Sequence, residues 1–166
     1  MEKLTHKDLV KIASKWARSR HIVVIAERSA WHEIPDVLAI NYSYSTLIEC
    51  KVSRADFLRD KNKTTRRYDD YCAGNYRLYC VPKGLLKEDD IPETWGLLEV
   101  YPSGFVRLKT NLYKYTRTNA IWWHNDTIES LRSEKHALLN HFIYPKEEKP
   151  VVPPSTKVQG IPTELL

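Results

Sequence analysis

The sequence predicts an α/β fold, on three observations. A helix-period apolar pattern stands near the N-terminus, a series of short β-branched runs follows it, and a second helix-period pattern comes late in the chain. Two groups of three strands are separated and flanked by helical segments, and no internal repeat is visible.

The first helix spans Thr5 to Ser19. Thr5 with Asp8 resembles a capping box, Asp replacing the usual Glu. Leu9, Ile12, Ala13, Trp16 and Ala17 recur at helical spacing, and Lys7, Lys11, Lys15 and Arg18 occupy the other side, read as a solvated basic face. Ile22 to Ala26 is a continuous β-branched run whose length favours a buried strand. Val37 to Ile40 and Thr46 to Lys51 are two further strands, and the short polar turn between them predicts an antiparallel hairpin.

Ser53 is expected to cap a helix starting near Arg54, with Asp56 in its first turn, where the helix dipole favours an acid. A helical stretch from Tyr68 to Cys72 ends at Gly74-Asn75, which both tolerate the left-handed conformation. Tyr76 to Pro82 and Trp95 to Tyr101 read as strands flanking a loop, and Phe105 to Lys109 as the hairpin partner of the second. Thr127 to Phe142 is the closing helix, with Ile128, Leu131, Leu138, Leu139 and Phe142 as its apolar residues. Five of the nine prolines lie beyond Phe142, so residues 1–144 are expected to form one domain and 145–166 an extended proline-rich tail.

Composition narrows the class of protein. The chain of 166 residues is 42% hydrophobic and 28% charged, an ordinary globular mixture. No apolar run reaches the roughly 18 residues of a membrane-spanning helix. Residues Met1 to Asp8 lack the apolar core of a secretory signal. Three cysteines, Cys50, Cys72 and Cys80, match neither a disulfide scaffold nor a zinc knuckle and read as core residues, so a reduced, cytoplasmic setting is expected. Lys and Arg number 26 against 21 acids, a net +5, which permits a polyanionic partner without demanding one.

The segment from Glu27 to Lys51 carries the chemistry. In a strand, positions i and i+2 share a face, so Glu49 and Lys51 project together while Cys50 points into apolar packing. Asp36 opens the preceding strand of the same hairpin and is expected to approach Glu49 across the ladder. Three acids, Glu27, Asp36 and Glu49, with one amine are thus expected to meet at one end of a sheet. Carboxylate oxygens suit Mg²⁺, with Mn²⁺ as its substitute, and such a metal acidifies a bound water and screens charge on a phosphate. Lys51 beside it has a use in orienting or deprotonating the water and in stabilising the transition state. Attraction to the carboxylates would raise the amine's pKa, which a metal must oppose if Lys51 is to act as a base.

Pro35-Asp36, twelve intervening residues, then Glu49-Cys50-Lys51 resembles the PD-(D/E)xK nuclease superfamily. Val52 to Lys61, Tyr71 to Pro82, Trp95 to Val100 and Lys135 to Leu139 are similar to its MmcB-like branch, associated with DNA repair, so the resemblance covers residues 5 to 143. It implies a restriction-endonuclease-like fold, a central mixed sheet of about five strands flanked by helices. It implies Asp36 and Glu49 as metal ligands, Lys51 as the catalytic lysine and Glu27 as the upstream acid, with Glu33 the weaker candidate because it stands in the loop close to Asp36. It also places polar residues on the following helix, where Tyr68 and Tyr71 stand. Pro35 agrees with the wider superfamily more than with the branch.

The run Arg54, Arg59, Lys61, Lys63, Arg66 and Arg67 reads either as a solvated face or as a set of phosphate contacts. Trp122-Trp123-His124 reads as packing under the last helix, with base stacking as the alternative. The expected function is a metal-dependent deoxyribonuclease in DNA repair, recombination or phage DNA processing. The alternatives are a nuclease-fold DNA-binding protein that does not cut, a Holliday-junction-resolvase-like endonuclease acting as a homodimer, and an RNA-directed enzyme.

Overall fold

Alternating apolar runs and capped helices assemble, in a computed structural model, into a six-stranded mixed sheet with helices on both faces. The structure describes residues 4–30, 33–61, 63, 73–109 and 127–143. The expected helix at Tyr68 to Cys72, Trp122-Trp123-His124 and the tail 145–166 lie outside them.

Helix α1 is His6–Arg18. Thr5 is its N-cap, and the capping box is complete: the Thr5 hydroxyl accepts from the Asp8 N–H, and the Asp8 carboxylate accepts from the Thr5 N–H at 2.9 Å. Six strands follow: β1 (Val23–Ala26), β2 (Val37–Ile40), β3 (Ser45–Cys50), β4 (Tyr76–Pro82), β5 (Gly96–Val100) and β6 (Val106–Leu108). Helix α2 (Arg54–Lys61) connects β3 to β4, and helix α3 (Ile128–Ile143) follows β6. Among the described residues, no helix is long and apolar enough to cross a membrane.

The strands lie in sequence order, β1-β2-β3-β4-β5-β6. β1, β2 and β3 form an antiparallel meander, β3, β4 and β5 run parallel, and β6 pairs antiparallel with β5. The expected hairpin of β2 and β3 is present, with Val37 opposite Ile48. The described residues hold six strands, where the resemblance implied about five; the sixth, Val106–Leu108, is the hairpin partner expected at Phe105 to Lys109.

Side-chain alternation divides the core in two. Val37, Ala39, Ile48, Cys50, Leu78 and Cys80 meet Leu9, Ala13, Trp16 and Ala17 of α1 on one face. Leu38, Leu47, Tyr79, Val81 and Leu97 meet Phe57 of α2 and Ala137 of α3 on the other. Both faces of β3 are therefore covered, and all six of its residues are buried. Cys50 and Cys80 are core thiols at paired positions of β3 and β4, as expected; their mutual hydrogen bond and burial push the Cys50 thiol well above its usual range.

Gly74 shows why the parallel turn into β4 needs glycine. Its φ is +92°, and a Cβ there would come within 2.8 Å of the Leu47 amide nitrogen. Helix α3 departs from expectation. Ser130, Ser133 and Ala137 form its buried face, while Ile128, Leu131, Leu139 and Phe142 are exposed. Small residues let the helix lie close to the sheet. Polar bonds hold it there: Glu134 accepts from the Gly74 N–H at 3.1 Å, and the Asn140 amide donates to the Ser29 carbonyl at 2.8 Å.

Candidate functional site

Asp36 immediately precedes β2, and Glu49 lies on β3. Extending the β2/β3 register by one residue sets the two opposite each other. Where the β2 ladder ends, the Asp36 side chain takes over as acceptor, its Oδ2 receiving the Cys50 N–H at 2.7 Å. Beyond β3, the Lys51 N–H donates to the Cys80 carbonyl at 2.9 Å, which keeps the chain extended for one more residue. Glu49 and Lys51 consequently share a face, as the two-residue period requires, and the Lys51 Nζ donates to Glu49 Oε2 at 2.8 Å.

The Lys51 ammonium also lies 4.0 Å from Asp36 Oδ2 and 3.3 Å from Asp60 Oδ1. Lys51, Glu49 and Asp60 are all buried. Burial pulls the lysine pKa down, but Glu49, Asp60 and Asp36 together outweigh it, so the net shift is upward. Lys51 is therefore an ammonium at neutral pH. The expected attraction is present, and it keeps the amine from serving as a base unless another cation enters the cluster.

Asp60 and His6 are members of the cluster that the strand motif does not reveal. Asp60 stands on α2, three residues after the buried Phe57 and so on the same inward face. Its Oδ2 accepts from the Tyr79 hydroxyl at 3.1 Å, and Tyr79 is itself fixed by stacking on Trp95 and by the edge of Phe57. Lys63 reaches Asp60 Oδ1 from outside at 2.8 Å. His6, in the first turn of α1, is spaced three and four residues from the buried Leu9 and Val10. Its Nε2–H donates to Asp36 Oδ1 at 3.1 Å. Helical spacing from an apolar residue was the sequence signal available for both.

Glu27 is placed differently from the expectation. Its N–H donates to the Asp36 carbonyl at 3.1 Å and its φ is +51°, an uncommon conformation for a residue with a side chain, but the residue is exposed. Among the described residues, no three His, Cys, Asp or Glu side chains are grouped as a metal-binding set, so the convergence of Glu27, Asp36 and Glu49 on one point is not the arrangement present. Glu33 serves the fold, its Oε1 accepting from the Ala73 N–H at 3.1 Å. What remains for a metal is the Asp36 and Glu49 pair. Two hard carboxylates are the donor type that suits a hydrated Mg²⁺, which commonly takes one or two protein carboxylates and completes its shell with water and phosphate.

Of the expected phosphate contacts after β3, Arg54, Arg59 and Lys63 are engaged with acids. Arg54 forms a two-pronged pair with Asp90, both bonds at 2.8 Å, and holds that carboxyl well below its usual range. Arg59 lies 3.6 Å from Asp56. Lys61 ends α2, and Arg66 and Arg67 lie outside the described residues, as do Tyr68 and Tyr71.

No protein-family model matches the chain, and no curated protein matches it. A solved structure of the SPO1766 protein of unknown function from Silicibacter pomeroyi is similar, with a TM-score of 0.58 and 18% identity over 90% of this chain and 98% of that one. At that identity the likeness is one of fold.

Proposed function

We propose that the chain is a metal-dependent deoxyribonuclease of the PD-(D/E)xK type, hydrolysing phosphodiester bonds. One observation carries the reading: Asp36, Glu49 and Lys51, brought together by one hairpin, lie side by side at one end of the sheet, with the ammonium 2.8 Å from one carboxylate and 4.0 Å from the other. Asp36 and Glu49 would hold Mg²⁺, which supplies Lewis acidity and an acidified water. Lys51 would stabilise negative charge developing on the phosphate, a role its raised pKa suits better than proton abstraction. Asp60 would steer the lysine head from the α2 side, and His6 would orient Asp36.

The reading is tested by cleavage of single-stranded, duplex, flap and four-way DNA with Mg²⁺ or Mn²⁺. Lys51→Ala is expected to lower the rate at least about 100-fold, the usual cost of losing a transition-state charge partner, while fold and DNA binding persist. Undiminished cleavage by a clean Lys51→Ala preparation would refute it. Preference for four-way DNA, with a dimer in solution, would specify a resolvase-like enzyme, and faster cleavage of RNA an RNA-directed one.

A second reading, a DNA-binding protein that does not cut, is favoured by the same ammonium. It lies within 4.0 Å of three carboxylates and already supplies part of the positive charge that a metal would bring to them. Calorimetric titration separates the two: heat of Mg²⁺ or Mn²⁺ binding lost in Asp36→Asn supports the enzyme, and no binding supports the silent form.

A further inference from the structure

The exposed side of α1 carries an arrangement that the cluster does not use. Lys7, Lys11, Lys15 and Arg18 are all exposed. At 100° per residue they fall within an arc of about 80°, opposite the buried Leu9, Ala13, Trp16 and Ala17. From the first to the last the helix rises about 17 Å, so the four cations form a straight stripe.

Among the described residues none of the four forms an ion pair. The acid nearest in sequence, Asp8, has its carboxylate bonded to Thr5 in the capping box. Arg20, just beyond the helix, lies over the Trp16 ring on another side. The stripe also has a definite beginning. Lys7 follows His6, whose ring is bonded to Asp36, so the row starts one residue from the contact with Asp36, while Glu49 and Lys51 project from the sheet face opposite α1.

We propose that Lys7, Lys11, Lys15 and Arg18 hold the backbone of a nucleic acid and lead it past His6, round the end of the sheet, to the cluster of Asp36, Glu49 and Lys51. The proposal rests on the nuclease reading of that cluster and adds where the substrate lies. Asp8 lies within Coulomb range of Lys7 and Lys11, but cations outside ion pairs keep most of their attraction for an external anion, and each phosphate they neutralise releases condensed counterions. A row of lysines and an arginine with no aromatic or amide side chain among them contacts phosphates and positions the strand, without reading bases. A lipid surface is a poorer fit. Interfacial helices insert an apolar face beside their basic one, and the apolar face of α1 is buried against the sheet.

The test uses the full chain and a labelled short DNA duplex, with anisotropy read over a salt series in EDTA and again in Ca²⁺. Lys11→Ala/Lys15→Ala is compared with Arg132→Ala/Lys135→Ala on α3, which removes the same charge elsewhere. The stripe variant is expected to bind on the order of tenfold more weakly and to lower the log–log salt slope by about 1.8, at about 0.9 per phosphate contact. The α3 variant is expected to bind as the parent does. Lys11→Arg/Lys15→Arg keeps the charge and is expected to retain binding, which separates charge from any effect on folding. Equal weakening by the two alanine pairs, no weakening by either, no DNA binding by the parent, or tighter binding to phosphatidylserine vesicles than to DNA would each overturn the proposal. Salt-dependent binding through α1 without Mg²⁺-dependent cleavage would leave the stripe standing and remove the nuclease reading. Cleavage by a protein whose stripe variant keeps the parental slope would do the reverse.

Discussion

Along α1, Lys7, Lys11, Lys15 and Arg18 line one exposed face, and none forms an ion pair among the described residues. In and just after α2, Arg54, Arg59 and Lys63 lie 2.8, 3.6 and 2.8 Å from Asp90, Asp56 and Asp60. The two runs look alike by composition, yet their fields differ. A cation beside a carboxylate presents a dipole to an approaching anion, and a lone cation presents a charge. The inward sides differ in the opposite sense. Helix α1 is anchored by apolar side chains and by His21, just past its end, whose Nδ1–H donates to the Ala17 carbonyl and whose Nε2 accepts from the Thr46 hydroxyl. Helix α2 is anchored through a buried acid, Asp60, joined to Lys51 and Tyr79. Helix α1 meets the cluster only through His6 and keeps its free charge outside, whereas α2 puts a buried charge inside and pairs its cations outside.

The largest effect that would break this contrast is expected from Asp60→Ala. Removing one partner of a buried charged group, and stranding the Tyr79 hydroxyl, should cost about 3 kcal/mol, read from the urea midpoint. Glu49 still compensates Lys51, which keeps the loss at the lower end of the range for buried pairs. A loss below about 1 kcal/mol would place Asp60 among ordinary surface acids and erase the distinction between the helices. Thr5→Ala, which removes the α1 cap, should cost about 1 kcal/mol in the same assay, while leaving the salt slope of DNA binding unchanged.

The smallest effects are expected from pH, and they differ in sign for the two anchors. Burial chiefly lowers the pKa of His21, despite its bond to the Ala17 carbonyl. Its contribution is therefore present above the ordinary histidine value of about 6.5 and is lost as pH falls through the folded-state value. The pKa of Lys51 is raised, so its contribution is complete below the ordinary lysine value of about 10.4 and is lost as pH rises through the folded-state value. Denaturation followed from pH 8 down to about 5 should thus show a decline that His21→Gln flattens and Lys51→Met does not. A decline unaffected by His21→Gln would mean that other groups govern the acid limb.

Much of the fold was legible because its signals are local. The capping box of Thr5 and Asp8, the β-branched runs, the Ser53 cap and the turn at Gly104 involve residues a few positions apart. The core of the candidate site was legible for a related reason. A hairpin and a two-residue alternation suffice to bring Asp36, Glu49 and Lys51 to one place. The departures all involve contacts made across the chain. Glu27 is exposed, and it does not group with Asp36 and Glu49 as a metal-binding set. Asp60 enters from another element. The apolar residues of α3 face outward because serine and alanine let the helix sit close to the sheet.

By itself, then, the sequence determined the order of helices and strands, the division of each strand between two faces, and the Asp…Glu-x-Lys cluster, since hydrogen-bonding period and side-chain alternation act between near neighbours. Only the tertiary structure decided which acids surround Lys51 and which cations stay unpaired. Those outcomes depend on distances between segments such as Arg54 and Asp90, 36 residues apart, and Coulomb energy follows separation in space rather than along the chain.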